Sequence, residues 1–414
     1  TSIPTTQASS ANMKNLPVLE GNATVVMTVK GKPITIEVYG TDAPITAGNF
    51  VDLVQKGGVD ALRIDAVRHM EPSAISRILA AVDQRVGHHV DALGEIFDGS
   101  FSALKDEWRE GGFDAVFNFP LYYSTVDAIC DGSHMGRLAV ALSESSRVDG
   151  DLGRLVNFLD NHDLPRVRSR CSPEVVDLAL TTLFASPGVP MVTWGTESGL
   201  EGAHEPENRG DMVFASSEQS AHISNLNRLR GEVSALRTGD LSVLSLSEDR
   251  LLVSRRDGDS VAILALNMSE ESFEFVLSEH LASVAWSDGV GSISGDRLAV
   301  DGGSVALITG SATTPQQRSA VTRSVRLQLS SELLDNQNGS APTHLIGAGE
   351  HLGGWDPNSA IPITGGSVEL NADVGDVLEF KFLTRDGESL TWEAGANRYL
   401  LVETGNGDLL VDLE

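Results

Sequence analysis

The chain has 414 residues, 58 of them acidic and 30 basic, for a formal net charge of -28 at pH 7. That balance repels polyanions and argues against nucleic acid as a partner, whereas a neutral polymer is unaffected. No apolar run approaches the roughly 20 residues needed to span a bilayer, and the polar start over 1–15 has no apolar signal-peptide core.

Residues 1–22 are rich in Ser, Thr, Asn and Ala and read as a tail. Residues 24–29 and 34–38 read as two strands around a Lys30-Gly31-Lys32-Pro33 turn, with a short helix over 46–55. From 59 onward, short apolar runs alternate with amphipathic stretches. Strands are expected at 59–64, 90–96, 115–119, 155–159 and 189–194, and helices at 73–86, 101–109, 174–184 and 219–230. Strand then helix, repeated, implies parallel βα units.

After Arg237 the rhythm changes to closely spaced strands, such as 251–254, 261–266 and 304–309, which predict an antiparallel β-domain. A Ser/Thr/Pro/Gln linker at 311–319 leads to a second β-domain with strands at 321–329, 344–347 and 378–383. Cys130 and Cys171 are too few for a disulfide framework or a thiolate metal site, and a single bridge between them stays open. His88 and His89 are adjacent, so on a strand they face opposite ways, and no metal is assigned to them.

Three carboxylates fall where the βα pattern puts the carboxyl ends of strands, the place where βα-barrel active sites form. They are Asp65 in Leu62-Arg63-Ile64-Asp65-Ala66-Val67-Arg68-His69, Glu95 in Gly94-Glu95-Ile96-Phe97-Asp98-Gly99, and Asp163 in Phe158-Leu159-Asp160-Asn161-His162-Asp163. Singly, each has a plainer reading: a strand-end Asp caps the next helix, Glu95 pairs with Arg63, and Asn161-His162-Asp163 is a hydrogen-bonded turn. Together, in this order, they resemble three motif regions of the α-amylase family, glycoside hydrolase family 13.

That resemblance implies a retaining hydrolase of α-1,4-glucosidic bonds, with Asp65 as nucleophile, Glu95 as general acid/base and Asp163 stabilising an oxocarbenium-like transition state. A nucleophile must stay ionised, and Arg63, two residues earlier on the same strand face, is the cation suited to that task. Glu95 must keep its proton, which calls for a drier setting or a nearby negative charge. By the same resemblance His162 donates to sugar hydroxyls, and Arg68 and His69 line the leaving-group side. Pro187-Gly188-Val189-Pro190, Trp194-Gly195-Thr196-Glu197 and Glu205-Pro206-Glu207-Asn208-Arg209 resemble the family's last barrel strands, with Thr193 and Trp194 where tyrosines are more usual.

The C-terminal region carries Leu352-Gly353-Gly354-Trp355-Asp356, Phe380-Lys381-Phe382-Leu383, Thr391-Trp392-Glu393 and Asn397-Arg398. The set resembles the starch-binding modules of amylases, carbohydrate-binding module family 20. It implies that Trp355 and Trp392 stack on glucose rings while Lys381 and Asn397 bind hydroxyls along the ring edge.

A complete barrel has eight βα units, and the pattern here accounts for about the last five. The preceding residues 23–57, with Thr35-Ile36-Glu37-Val38 and Ala43-Pro44-Ile45-Thr46-Ala47-Gly48-Asn49-Phe50, resemble the opening hairpin and first helix of a bacterial cyclophilin. The expected fold is therefore α/β: an N-terminal hairpin plus helix, a partial (β/α)8 TIM barrel over 58–237, then two antiparallel β-sandwich domains over 238–310 and 320–414. Open sheet edges would favour self-association. The family's calcium is possible, but its site looks incomplete, so no cofactor is assigned. Starch or another α-glucan is the expected substrate, in an extracellular or periplasmic setting because the polymer cannot enter a cell intact. The alternatives are a catalytically inactive starch-binding protein and, least favoured, a peptidyl-prolyl isomerase.

Overall fold

The structure, a computed structural model, describes residues 20–21, 23–29, 32–38, 61–148, 154–277, 281–288, 291–312, 321–335, 341–403, 405 and 408–413. Ala23–Val29 (β1) and Lys32–Val38 (β2) pair as the expected antiparallel hairpin, Ala23 opposite Val38. The helix expected at 46–55, residues 313–319 of the linker expected at 311–319 and nearly all of the tail at 1–22 lie outside the described residues, while 311 and 312 end a strand.

The short apolar runs form one parallel sheet of five strands, lying side by side in chain order. They are Ala61–Ile64 (β3), Asp91–Gly94 (β4), Ala115–Phe117 (β5), Leu155–Asn157 (β6) and Val189–Pro190 (β7). Pro72–Val86 (α1) and Phe101–Gly111 (α2) cross between the first three strands. α1 opens with proline in its first turn and stops at Gly87, whose φ of 87° is left-handed. α2 is capped by Ser100, whose side chain accepts from the Ala103 N–H.

Two helices occupy a stretch for which the periodicity predicts none: Phe119–Thr125 (α3) and Met135–Ser146 (α4). α3 has no polar face to betray it, because Phe119, Leu121 and Tyr122 are all buried. β7 is shorter than the predicted 189–194 because Thr193 turns away to donate its hydroxyl to the Asp160 carbonyl. Pro173–Ala185 (α5) and Glu218–Glu232 (α6) follow close to expectation.

Beyond Arg237, a five-stranded antiparallel sheet faces a three-stranded one. The larger sheet contains Arg250–Asp257, Ser260–Asn267 and Ser304–Ala312, each longer than the apolar run that predicts it. It shares a core with the helices: Leu138, Leu180 and Leu226 belong to one buried cluster with Leu251, Leu264 and Leu307. Arg255 seals this seam, only 2% exposed and donating to the carbonyls of Ala185, Ser186, Leu236 and Gly239. Burial pushes its guanidinium down to about 9. The two cysteines do form a bridge, joining Cys130 just beyond α3 to Cys171 just before α5.

The C-terminal module departs from the antiparallel expectation in one sheet. Thr322–Leu329 pairs antiparallel with Ser367–Asp373 but parallel with Leu409–Leu413, because the last strand returns in the same direction as the first. Its other sheet is antiparallel, built around Val377–Asp386. Val325, Leu327, Phe380 and Phe382 fill the space between the two. This module docks on α4. A Cβ built on Gly136 would lie 2.2 Å from the Tyr399 ring, so only glycine permits that approach. The His134 and Tyr399 rings are 4.7 Å apart, and Arg147 pairs with Asp376.

At the amino end of β4, His89 lies between carboxylates, Nδ1 at 2.8 Å from Asp83 Oδ2 and Nε2 at 2.9 Å from Asp114 Oδ1. The hydrogen bonds to Asp83 and Asp114 raise its pKa from 6.5 to about 9. A histidine pKa raised by folding stabilises fully below the unfolded value of 6.5 and loses that contribution as pH rises through about 9. The melting temperature should therefore fall between pH 6.5 and 9. Replacing His89→Gln should flatten that slope, as followed by circular dichroism.

Candidate active site

Parallel register builds the first part of the site. Ile64 pairs with Gly94, so the next residues, Asp65 and Glu95, leave neighbouring strands side by side. Alternation puts Arg63 on the same face as Asp65. Its guanidinium reaches both acids, Nη1 to Asp65 Oδ1 and Nη2 to Glu95 Oε1, each at 2.7 Å.

The two carboxylates differ in setting. The Glu95 side chain is 9% exposed and that of Asp65 is 67% exposed. Burial raises the Glu95 pKa, and the neighbouring Asp65 pushes the same way. Hydrogen bonds from Arg63 and Glu95 hold Asp65 below the usual carboxylate range. The pair thus favours a shared proton on Glu95 and a charge on Asp65. Ala66 supplies a further donor, its N–H lying 3.3 Å from Glu95 Oε2. To do so it takes a left-handed φ of 50°, a conformation that costs a residue with a Cβ on the order of 1 kcal/mol. Nothing in the sequence pattern marks that strained turn.

Asp163 sits apart from this pair, in the loop after β6. It accepts from Arg209 Nη2 at 2.8 Å and lies 3.1 Å from His162 Nε2. The loop is held from below by Asp160, 2% exposed, which accepts from Thr196 Oγ1 and the Val167 N–H and pairs with fully buried Arg166. Asn208 and Arg209 both donate to the His162 carbonyl. Neither partner is recognisable from spacing, since they lie more than forty residues downstream.

Arg68 turns to Asp98 at 2.5 Å and Glu107 at 3.1 Å, tying the loop after β3 to that after β4 and to α2. His69 is exposed at the end of the turn Val67–His69. Trp194 is 40% exposed, lies over the Arg166 guanidinium and donates Nε1 to the Gly210 carbonyl.

In the C-terminal module, Trp355 and Trp392 lie together, ring centroids 6.5 Å apart and planes inclined by 37°. Lys381 and Asn397 are engaged by the protein: Lys381 Nζ donates to the Glu393 and Gly395 carbonyls, and Asn397 Nδ2 to Glu379 Oε1. As for metals, His89, Asp91 and Asp114 bring ligand atoms within 4.8 Å of one another, a set assembled from three positions rather than from the adjacent histidines. The imidazolium proton already accounts for this geometry.

Comparison with known proteins relates the chain to glycoside hydrolase family 13, the α-amylases and cyclomaltodextrin glucanotransferases. It is 28% identical over 286 residues to the cyclomaltodextrin glucanotransferase of Bacillus licheniformis, covering 66% of this chain and 38% of that protein. It is 29% identical over 229 residues to α-amylase 1 of Schwanniomyces occidentalis, covering 52% and 42%. The chain thus spans less than half of either relative. Among solved structures, it superposes on Gamma-CGTase from alkalophilic Bacillus clarkii with a TM-score of 0.53 and 20% identity, over 87% of this chain and 69% of that one. On an Anoxybacillus α-amylase the TM-score is 0.54 at 24% identity, over 63% and 61%. Residues 24–73 match the model of a different family, "Cyclophilin type peptidyl-prolyl cis-trans isomerase/CLD".

Replacing Arg63→Gln should raise the Asp65 pKa toward the ordinary carboxylate value and raise that of Glu95 further. A carbon-13 NMR titration of the carboxyl groups reads both changes. Unchanged titration would show that Arg63 does not set the charge of the pair.

Proposed function

We propose that the chain is a retaining hydrolase of α-1,4-glucosidic bonds in starch or related glucans. The observation that carries this reading is the pairing, around one Arg63 guanidinium on adjacent strand ends, of a buried Glu95 whose pKa is raised with an exposed Asp65 whose pKa is lowered. The relationship to α-amylases and cyclomaltodextrin glucanotransferases supports the substrate class.

In the proposed reaction, Asp65 attacks the anomeric carbon as Glu95 gives its proton to the departing glycosidic oxygen, leaving a glycosyl ester. Glu95, now a carboxylate, takes a proton from water, whose oxygen displaces Asp65 and restores both groups. In the resting pair both acids accept from Arg63, each at 2.7 Å, and substrate entry would turn Glu95 to the glycosidic oxygen. Asp163, positioned by Arg209 and His162, would offset charge on the sugar ring, and His162 would also donate to its hydroxyls. Arg68 and His69 would border the leaving-group side.

A second reading is favoured by the sheet itself. It has five strands among the described residues, whereas a closed barrel of this type needs eight. An incompletely closed site would leave a glucan-binding protein, with the paired Trp355 and Trp392 as its platform and Lys381 and Asn397 at the rim. Among the described residues β3 and β7 are the edge strands of this sheet, and edges left open would favour self-association. Both readings fit an extracellular or periplasmic setting, because polymeric starch does not enter a cell intact.

Reducing-sugar release from soluble starch separates the two. Hydrolysis that falls by about 100-fold or more in Glu95→Gln, and comparably in Asp65→Asn, is the expected result. Equal, background rates for all three chains would refute the hydrolase. Independently, the chain should sediment with insoluble starch, and Trp355→Ala plus Trp392→Ala should reduce the bound fraction at least about tenfold, since each ring loses its stacking partner. Unchanged sedimentation would remove the platform from the proposal.

A further inference from the structure

The loops that follow Asp65 and Glu95 are tied to each other at matching positions. Backbone bonding continues past the last strand pair: the Glu95 N–H donates to the Ile64 carbonyl at 2.9 Å, and the Val67 N–H to the Glu95 carbonyl at 3.1 Å. Three residues beyond the two acids stand Arg68 and Asp98. They join as an ion pair, Nη1 to Oδ2 at 2.5 Å. The same guanidinium reaches Glu107 on α2, Nε to Oε1 at 3.1 Å.

An ion pair open to water holds little. This one has a drier setting on its acidic side, where the Asp98 and Glu107 side chains are 17% and 21% exposed. Glu107 Oε2 is shielded from water and has no hydrogen-bond partner, so removing the guanidinium would leave a poorly solvated charge behind. Asp98 is itself anchored: its Oδ1 accepts from the N–H of Ser100 at 2.7 Å, and Ser100 caps α2. On the other loop, the left-handed turn at Ala66 lies between Asp65 and Arg68, and such a conformation persists where its surroundings hold it.

We infer that Arg68, Asp98 and Glu107 form a clamp that positions Asp65 against Glu95 by fastening together the two loops that follow them. The inference rests on the proposed hydrolase reading and adds Asp98 and Glu107 to it as positioning residues. Arg68, on the leaving-group side, then acts through the loops rather than as a free donor to sugar. Loosening the clamp lets the acids separate and admits water to Glu95, and both changes relax the influences that raise its pKa.

The test is soluble-starch hydrolysis across pH by the full chain and by Asp98→Asn, Arg68→Met and Glu107→Gln, with melting curves alongside. Asp98→Asn and Arg68→Met should each lower kcat about tenfold or more with KM nearly unchanged, and together should lose little more than either alone, since both break one bond. The high-pH limb, set by the acid that must hold its proton, should move down by about half a unit. Glu107→Gln keeps the shape and the bond from Arg68 to Asp98, and should move both readouts the same way by less; it decides the matter if Asp98→Asn melts below the assay temperature. Parental kcat and limb in every variant overturn the clamp and leave the proposed function standing. A kcat lost with the limb in place overturns it too, as does an Arg68→Met chain that only raises KM while Asp98→Asn changes nothing. A parent chain that hydrolyses no starch overturns the hydrolase reading, and the clamp falls with it as a positioning device.

Discussion

The site depends on one guanidinium shared between two strand ends. Parallel pairing of Ile64 with Gly94 forces Asp65 and Glu95 together, and two carboxylates that close repel one another unless something intervenes. Arg63 intervenes from the same face, while Glu95 withdraws into the protein and Asp65 faces water. Register, side-chain alternation and unequal burial thereby move the pKa values of two chemically similar acids apart, Glu95 upward and Asp65 downward.

The second dependence is between units. The later helices and the following antiparallel sheet share one apolar core rather than meeting as finished domains, while the strands of the parallel sheet pack in clusters of their own. Their seam contains the carbonyls that end α5, and Arg255 and Arg230 satisfy them from opposite sides, both donating to Ser186. Burial depresses both guanidiniums, Arg230 to about 10, a desolvation penalty that the multiple carbonyl bonds offset. The loop bearing Asp163 follows the same logic, with Asp160 and Arg166 buried beneath it.

The strands that line up in the parallel sheet are legible in sequence because each is a short apolar run bounded by polar turns. The carboxylates are legible because they sit directly after those runs. α3 and α4 are not, since α3 is buried on all sides and loses the periodicity by which a half-exposed helix is recognised. The mixed pairing of Thr322–Leu329 with Leu409–Leu413 also escapes detection, because apolar alternation specifies the buried face of a strand and not the direction of its neighbour. Partners such as Arg209 for Asp163 and Asp114 for His89 depend on tertiary approach, which local spacing does not encode. For Lys381 and Asn397 the residue types suggest sugar hydroxyls, yet both polar heads bond to the protein itself.

The contact between Gly136 and Tyr399 bears on how such a protein can be recombined. A helix and a β-module that meet through a missing side chain on one and a bulky ring on the other are fitted as lock and tenon. A module grafted from a relative would need its own aromatic at that point, and a barrel helix from a relative would need its own glycine. Heritable change at either position is therefore constrained by the other, so that shuffling of these units by gene fusion succeeds only when both halves of the joint travel together.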